Sequence, residues 1–138
     1  MQVVLLDTSV IFAWLNKRDR NHERCVAAVS RLRQPIATCE AVISESCHLL
    51  QFQPAAIDLV LANVAKGNFQ IPFRFTESAA EVRDLMQKYR DTPADFADAC
   101  LIAMANQLGT GDILTLDSDF KHYRWRRNRS FNLLVPLD

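Results

Sequence analysis

Short apolar runs alternate along the chain with longer stretches in which apolar residues recur every three or four positions. Val3 to Leu6 is a continuous apolar run without alternation, the pattern of a strand covered on both faces. Asp7-Thr8-Ser9 stops it, and Val10 to Leu15 reads as a short helix. Asn21 to Leu32 is helical by the spacing of Cys25, Val26, Val29 and Leu32, and Pro35-Ile36-Ala37 predicts a second strand. Thr38 is expected to N-cap a helix from Cys39 to about Phe52, with Glu40 in its first turn. Pro54 opens another helix, with Ile57, Leu61 and Val64 on one face and Gly67 as its stop. Phe69 to Phe73 is a third strand, and Thr76 to Tyr89 is amphipathic through Ala79, Val82, Leu85, Met86 and Tyr89. Thr92-Pro93-Ala94-Asp95 reads as a capping box with Pro at the first helical position. Its helix runs to Leu108 before Gly109, and Asp112 to Leu116 and Phe131 to Val135 complete the strands.

Short apolar strands separated by helices predict an α/β fold with a mostly parallel sheet of about five strands. No repeat or linker interrupts the 138 residues, so a single domain over 1–138 is expected. With 49% hydrophobic and 23% charged residues, the composition is that of a globular chain and excludes disorder. The apolar runs fall far short of the roughly 20 residues that span a bilayer. The N-terminus has no basic stretch ahead of an apolar one and no small-residue cleavage site, so a cytoplasmic protein without a membrane partner is expected. Cys25, Cys39, Cys47 and Cys100 form no CxxC and no zinc-type spacing with His22, His48 or His122. They lie within or beside apolar helical patterns and are read as structural thiols. Trp14 is expected in the core or a dimer contact, and His22 and His48 as surface or core fillers.

The 16 basic and 16 acidic side chains cancel, but their order is informative. Asp91 to Phe120 holds Asp91, Asp95, Asp98, Asp112, Asp117 and Asp119 without a single Lys or Arg. Lys121 to Arg129 then carries Lys121, Arg124, Arg126, Arg127 and Arg129 without an acid. Such segregation points to a cation site beside a surface for something anionic, since soluble domains normally intersperse their charges.

Ligands of parallel sheets bind beyond the carboxyl ends of the strands, where Asp7 and Asp117 directly follow predicted strands. Taken singly, each is equally a turn residue or helix N-cap. Glu45, three residues after Val42 and four before Leu49, shares an apolar stripe and is expected to face inward or to meet an arginine at the helix edge. Asp98 lies on the face defined by Ala94, Leu101, Ile102, Ala105 and Leu108, one turn from the helix start. Asp95 shares that stripe, but the capping box already explains it. Four carboxylates in one cleft require a neutralising cation. Hard oxygen ligands select Mg²⁺ or Mn²⁺, and such a site fits metal-assisted phosphodiester hydrolysis.

Val3-Val4-Leu5-Leu6-Asp7-Thr8-Ser9, Ile43-Ser44-Glu45, Asp98-Ala99-Cys100-Leu101-Ile102-Ala103 and Leu114-Thr115-Leu116-Asp117-Ser118-Asp119-Phe120 together resemble the PIN-domain family, most closely its VapC-like toxin ribonucleases. The resemblance implies a three-layer α/β/α sandwich and an Mg²⁺- or Mn²⁺-dependent endoribonuclease cutting single-stranded regions of RNA. It also implies a homodimer that is the toxin of a type II pair, with an antitoxin protein as possible partner. Asp7, Glu45, Asp98 and Asp117 would be the catalytic, metal-holding quartet, with Glu45 or Asp117 the candidate general base. Ser9 and Thr115 would be supporting hydroxyls. The last motif offers Asp119 beside Asp117, and Asp95 and Asp119 rank as second-tier acids.

The tail Lys121-His122-Tyr123-Arg124-Trp125-Arg126-Arg127-Asn128-Arg129 interleaves cations with aromatics, which suits phosphate contacts and base stacking. Equally, it is a solvated loop pinned by Tyr123 and Trp125. Two rival readings compete with the nuclease. One is phosphotransfer on Asp7, but Ser9 stands where a dehalogenase-type phosphatase needs Asp, and Asp117 where a receiver domain needs Lys. The other is a catalytically silent module binding RNA or protein, against which the intact quartet argues.

Overall fold

Strand β1 (Val4–Leu6) is buried throughout because it occupies the centre of a sheet. The computed structural model describes residues 2–92 and 94–137. After β1 the chain forms α1 (Thr8–Leu15), α2 (His22–Arg31), β2 (Ile36–Ala37), α3 (Glu40–Leu49), α4 (Pro54–Ala65), β3 (Phe69–Gln70), α5 (Phe75–Lys88) and α6 (Phe96–Leu108). It ends in β4 (Asp112–Leu114), a 3-10 turn (Ser118–Lys121), β5 (Arg124–Trp125), β6 (Arg129–Ser130) and β7 (Asn132–Leu133). Among the described residues, five strands pair in the order β3-β2-β1-β4-β7, every pair parallel. Six helices among the described residues flank this sheet, giving the α/β arrangement expected from the pattern. None of them is long and apolar enough to cross a membrane.

The chain steps outward from β1 to β2 to β3, then returns to pair β4 on the other side of β1. That reversal opens a crevice beyond the carboxyl ends of β1 and β4, the usual ligand position in an open α/β sheet. Beneath it lies α6, buried without a break from Ala97 to Ala105. A helix that is apolar on all sides belongs in the interior, which makes its one buried acid, Asp98, conspicuous. Leu108, expected on the same inward face, is 38% exposed.

Several predicted boundaries shift for identifiable reasons. Cys39, not Thr38, occupies the cap of α3, because the Thr38 hydroxyl donates to the Leu6 carbonyl at 2.8 Å and so links β1 to the α3 entry. Asp95 is itself the N-cap of α6, accepting from the Asp98 N–H at 2.8 Å, rather than the fourth member of a capping box. The Pro93 of that box lies outside the described residues. The third strand ends at Gln70, and the fourth at Leu114, leaving Thr115 and Leu116 to turn toward the crevice. Within the tail, β5 and β6 pair as an antiparallel hairpin not foreseen in the sequence. All four cysteines are free, three of them buried, and Trp14 packs against Phe69 at 5.8 Å between ring centres.

Candidate active site

Asp7 ends β1 and caps α1, where the backbone turns from strand to helix and leaves donors without intrahelical partners. Its Oδ1 accepts from the Thr8 N–H at 2.8 Å. Its Oδ2 accepts from the Ser9 hydroxyl at 3.0 Å and the Thr115 hydroxyl at 2.7 Å. Those hydroxyls in turn accept from the backbone: Ser9 from Leu116 N–H at 2.9 Å, and Thr115 from Asp117 N–H at 3.0 Å. The carboxylate is therefore fixed in orientation while stitching β1 to the segment after β4. Burial nevertheless raises its pKa to about 6, with the charge of Asp117 adding to the effect and the hydroxyl and N–H donors opposing it.

Asp98 is 7% exposed, and its pKa rises to about 8. Burial is the main cause, followed by the charges of Asp95, Asp7 and Asp117, against the Tyr123 hydrogen bond. Asp117 caps the 3-10 turn by accepting from Asp119 N–H at 2.9 Å. Its carboxyl is also pushed up, by burial and by Asp119 and Asp95. The structure thus brings Asp7, Asp95, Asp98 and Asp117 into one electrostatic neighbourhood, with Asp119 beside Asp117.

Glu45 is positioned differently. Its stripe on α3 runs from buried Val42 to Leu49, which is 49% exposed, so the stripe follows the helix edge and Glu45 is half-buried instead of facing inward. It lines a cleft of about 510 Å³ with Ser44, His48, Asp95 and Phe96. The cleft joins Glu45 to the cap of the Asp98 helix, while His48, read as a bystander, shares its wall.

Among the described residues, no three His, Cys, Asp or Glu side chains stand close enough together to enclose one ion. The donor chemistry still fits a hard cation: every candidate ligand is a carboxylate, and burial together with neighbouring acids raises three of the carboxyls above their ordinary range. Asp7, Glu45, Asp98 and Asp117 are the residues that could hold it.

Tyr123 is a site residue that pattern reading passes over. It is fully buried, and its hydroxyl donates to Asp98 Oδ2 at 3.2 Å. Its ring meets Phe120 and Tyr89 edge to face, each at 5.0 Å. The only sequence signal was an aromatic in a basic tail. That tail is divided by the fold. Lys121 closes the 3-10 turn beside Asp117, and the Arg124 side chain donates to the Lys121 carbonyl at 2.7 Å. Arg126 instead reaches the far end of α6, its N–H donating to Asn106 Oδ1 at 2.6 Å. Asn106 is eight residues beyond Asp98, about 12 Å along a helix. Arg127 and Arg129 follow Arg126 in the same hairpin, with the Arg129 guanidinium over the Trp125 ring.

The PIN domain family model matches residues 4–126. Among solved structures, VapC20 of Mycobacterium tuberculosis, a sarcin–ricin loop cleaving toxin, is similar with a TM-score of 0.79 at 18% identity. The match covers 86% of this chain and 93% of that one, and speaks for a shared fold. No curated protein matches the chain by sequence.

Proposed function

This chain belongs to the PIN domain family, and from that membership we propose that it is a divalent-metal-dependent endoribonuclease acting on single-stranded regions of RNA. The observation that carries the reading is the set of carboxyls formed by buried Asp7 and Asp98 with half-buried Asp117, sharing one field at the carboxyl edge of a parallel sheet. Burying like charges together destabilises a fold, and a cation with a phosphate substrate is the chemistry that rewards it.

Asp7, Glu45, Asp98 and Asp117 would hold Mg²⁺ or Mn²⁺, with Asp95 and Asp119 adding negative field around them. When bound, the ion supplies neutralisation of the acids, acidification of the attacking water and offset of charge on the phosphate. Ser9, Thr115 and Thr8 keep the Asp7 carboxylate in one orientation by donating to it. Tyr123 and the Asp95 cap hold Asp98. In the hydrolysis, water would attack phosphorus in line with the leaving ribose oxygen, the water proton passing to the carboxylate of Glu45 or Asp117 while the phosphorus–ribose oxygen bond breaks and that oxygen takes a proton from solvent. Lys121 and Arg124 would contact the RNA backbone near the cleft, with Arg126, Arg127 and Arg129 serving a more distant flank.

The same reading makes the chain the toxin of a type II pair, active as a homodimer and controlled by an antitoxin protein in the cytoplasm. VapC20 acts on a ribosomal RNA loop, so exposed loops of structured RNA are the first substrates to try. The test is incubation of total RNA with Mg²⁺, Mn²⁺ or chelator, comparing wild type with Asp98→Asn prepared identically. Defined fragments requiring both metal and Asp98 are expected. Equal cleavage by the two proteins, or none by either, defeats the reading.

A further inference from the structure

Beyond the carboxyl end of β4, on the stretch that carries Asp117, lies a second polar cavity of about 260 Å³. Arg24 lines it from the first turn of α2 and Arg20 from the turn before that helix, Lys121 and Ser118 from the 3-10 turn, and Leu116 from the turn after β4. Sequence reading singled out Lys121 but neither arginine, because Arg20 and Arg24 lie about a hundred residues away in the chain. Asn21 sits between them on the same wall. Arg24 is clamped in place, donating to the Pro136 carbonyl and to Asn21 Oδ1. Arg20 and Lys121 are exposed at the rim.

Three cations, with an amide and a hydroxyl able to donate beside them, select an anion rich in acceptor oxygens. Leu116 and Ser118 line this cavity and flank Asp117, so its occupant would lie one residue from the acid cluster. A polyanion running from acid cluster to cation cavity has alternating needs: one phosphate offset by metal, the next by arginine and lysine. We propose that Arg20, Arg24 and Lys121 form a phosphate subsite that grips the RNA backbone next to the phosphodiester being cut. The subsite rests on the ribonuclease reading above and adds its substrate-positioning surface. It also explains how RNA is held in a cleft whose own walls are acidic.

The test is binding of a fluorescein-labelled single-stranded RNA 12-mer by the Asp98→Asn protein across a salt series, alongside cleavage kinetics in the Asp98 background. Adding Arg20→Gln and Lys121→Gln is expected to weaken binding about tenfold. It should also flatten the log–log salt slope by roughly 0.7 for each phosphate that is no longer neutralised. In the active background the pair raises KM with little change in kcat. Arg31→Gln with Arg33→Gln, removing equal charge from the other end of α2, should leave affinity and slope unchanged. Lys121→Gln alone, on an exposed side chain, serves if the pair fails to fold. Equal behaviour of the two double variants overturns the subsite while leaving the nuclease intact. Cation-dependent RNA binding without cleavage by wild type defeats the nuclease while the subsite stands. Saturation by inorganic phosphate that is abolished in Arg20→Gln/Lys121→Gln, with RNA affinity unmoved, assigns the cavity to a free anion and overturns its RNA role.

Discussion

Burial and the neighbouring acids Asp95, Asp7 and Asp117 push the Asp98 carboxyl toward its protonated form, and the Tyr123 hydroxyl opposes them. That carboxyl holds a proton up to about pH 8 in the folded chain, against an ordinary value of 3.8. Asp7 does the same up to about 6. Between those limits the folded chain binds more protons than the unfolded one, so these groups stabilise the metal-free fold most at low pH. That contribution is lost as pH rises from about 4 toward 8. Thermal melts of metal-free protein are therefore expected to fall across this window, and Asp98→Asn should flatten the upper part and melt higher than wild type at pH 8. A wild-type melting temperature rising across the window contradicts the assignment. Protons compete with the cation for the same oxygens, so Mg²⁺ affinity should weaken as pH drops from 8 to 6. Tyr123→Phe keeps the buried ring but removes the donor to Asp98. It should cost about 1 kcal/mol of stability and about tenfold in metal affinity, and move the pH midpoint of activity upward because that hydrogen bond favours the charged form. Unchanged metal affinity and pH midpoint would reduce Tyr123 to packing. Nothing in the spacing of the sequence pointed to this hydrogen bond, since it joins residues 25 apart, with most of α6, β4 and the 3-10 turn between them.

Elements were legible where burial followed a period. Strand β1 and helix α6 read directly, because a strand covered on both faces and an interior helix leave unbroken apolar runs. Asp7 and Asp98 stood out against those runs for the same reason. Glu45 was harder, since α3 buries only part of its stripe, and spacing alone cannot say which part. The β5–β6 hairpin was illegible because it pairs only two residues a side, Arg124 with Ser130 and Trp125 with Arg129, too few to show an alternation, with Arg126 and Arg127 at φ of 39° and 74° in its turn. What seats it is Trp125, whose indole N–H donates to the Ser130 carbonyl at 3.0 Å and lies over Gly111. A Cβ on Gly111 would stand 2.1 Å from the Trp125 ring nitrogen. Gly111→Ala is therefore expected to push the hairpin off β4 at a cost of about 1–3 kcal/mol, read as a lower melting temperature. Combining it with Trp125→Leu should recover part of that stability, because the smaller side chain clears the methyl group. A cost that simply adds in the double variant would show that Trp125 is not what Gly111 accommodates.

Taken as a whole molecule, the chain leaves an apolar face uncovered. Phe75, Met86 and Phe96 are 45%, 38% and 44% exposed, and they line one groove between α5 and α6 with Ala79 and Val82. The Phe75 and Phe96 rings meet edge to face at 5.2 Å, so the patch is preorganised rather than a scatter of loose side chains. Water against such a surface is unfavourable, and a second copy of the chain would remove it from solvent. Phe96 also lines the cleft that holds Glu45 and Asp95, so pairing on this face would set the two acid clefts close to the dimer axis. RNA would then cross a shared groove rather than an isolated pocket. The proposed homodimer is thus expected to depend on this face: wild type should sediment as a dimer, and Phe75→Asp with Met86→Asp as a folded monomer. Both positions are exposed, so the substitutions leave the core intact and a monomer cannot be blamed on unfolding if the helical signal is unchanged. Dimers surviving both charges would move the interface elsewhere, and a wild-type monomer at the highest soluble concentration would remove the dimer. The cation cavity is built from residues that the apolar groove does not use, so RNA affinity measured on the monomeric variant would separate the two surfaces. If Arg20, Arg24 and Lys121 act within one subunit, a short RNA should bind monomer and dimer with the same salt slope, and only longer RNA should gain from the second cleft.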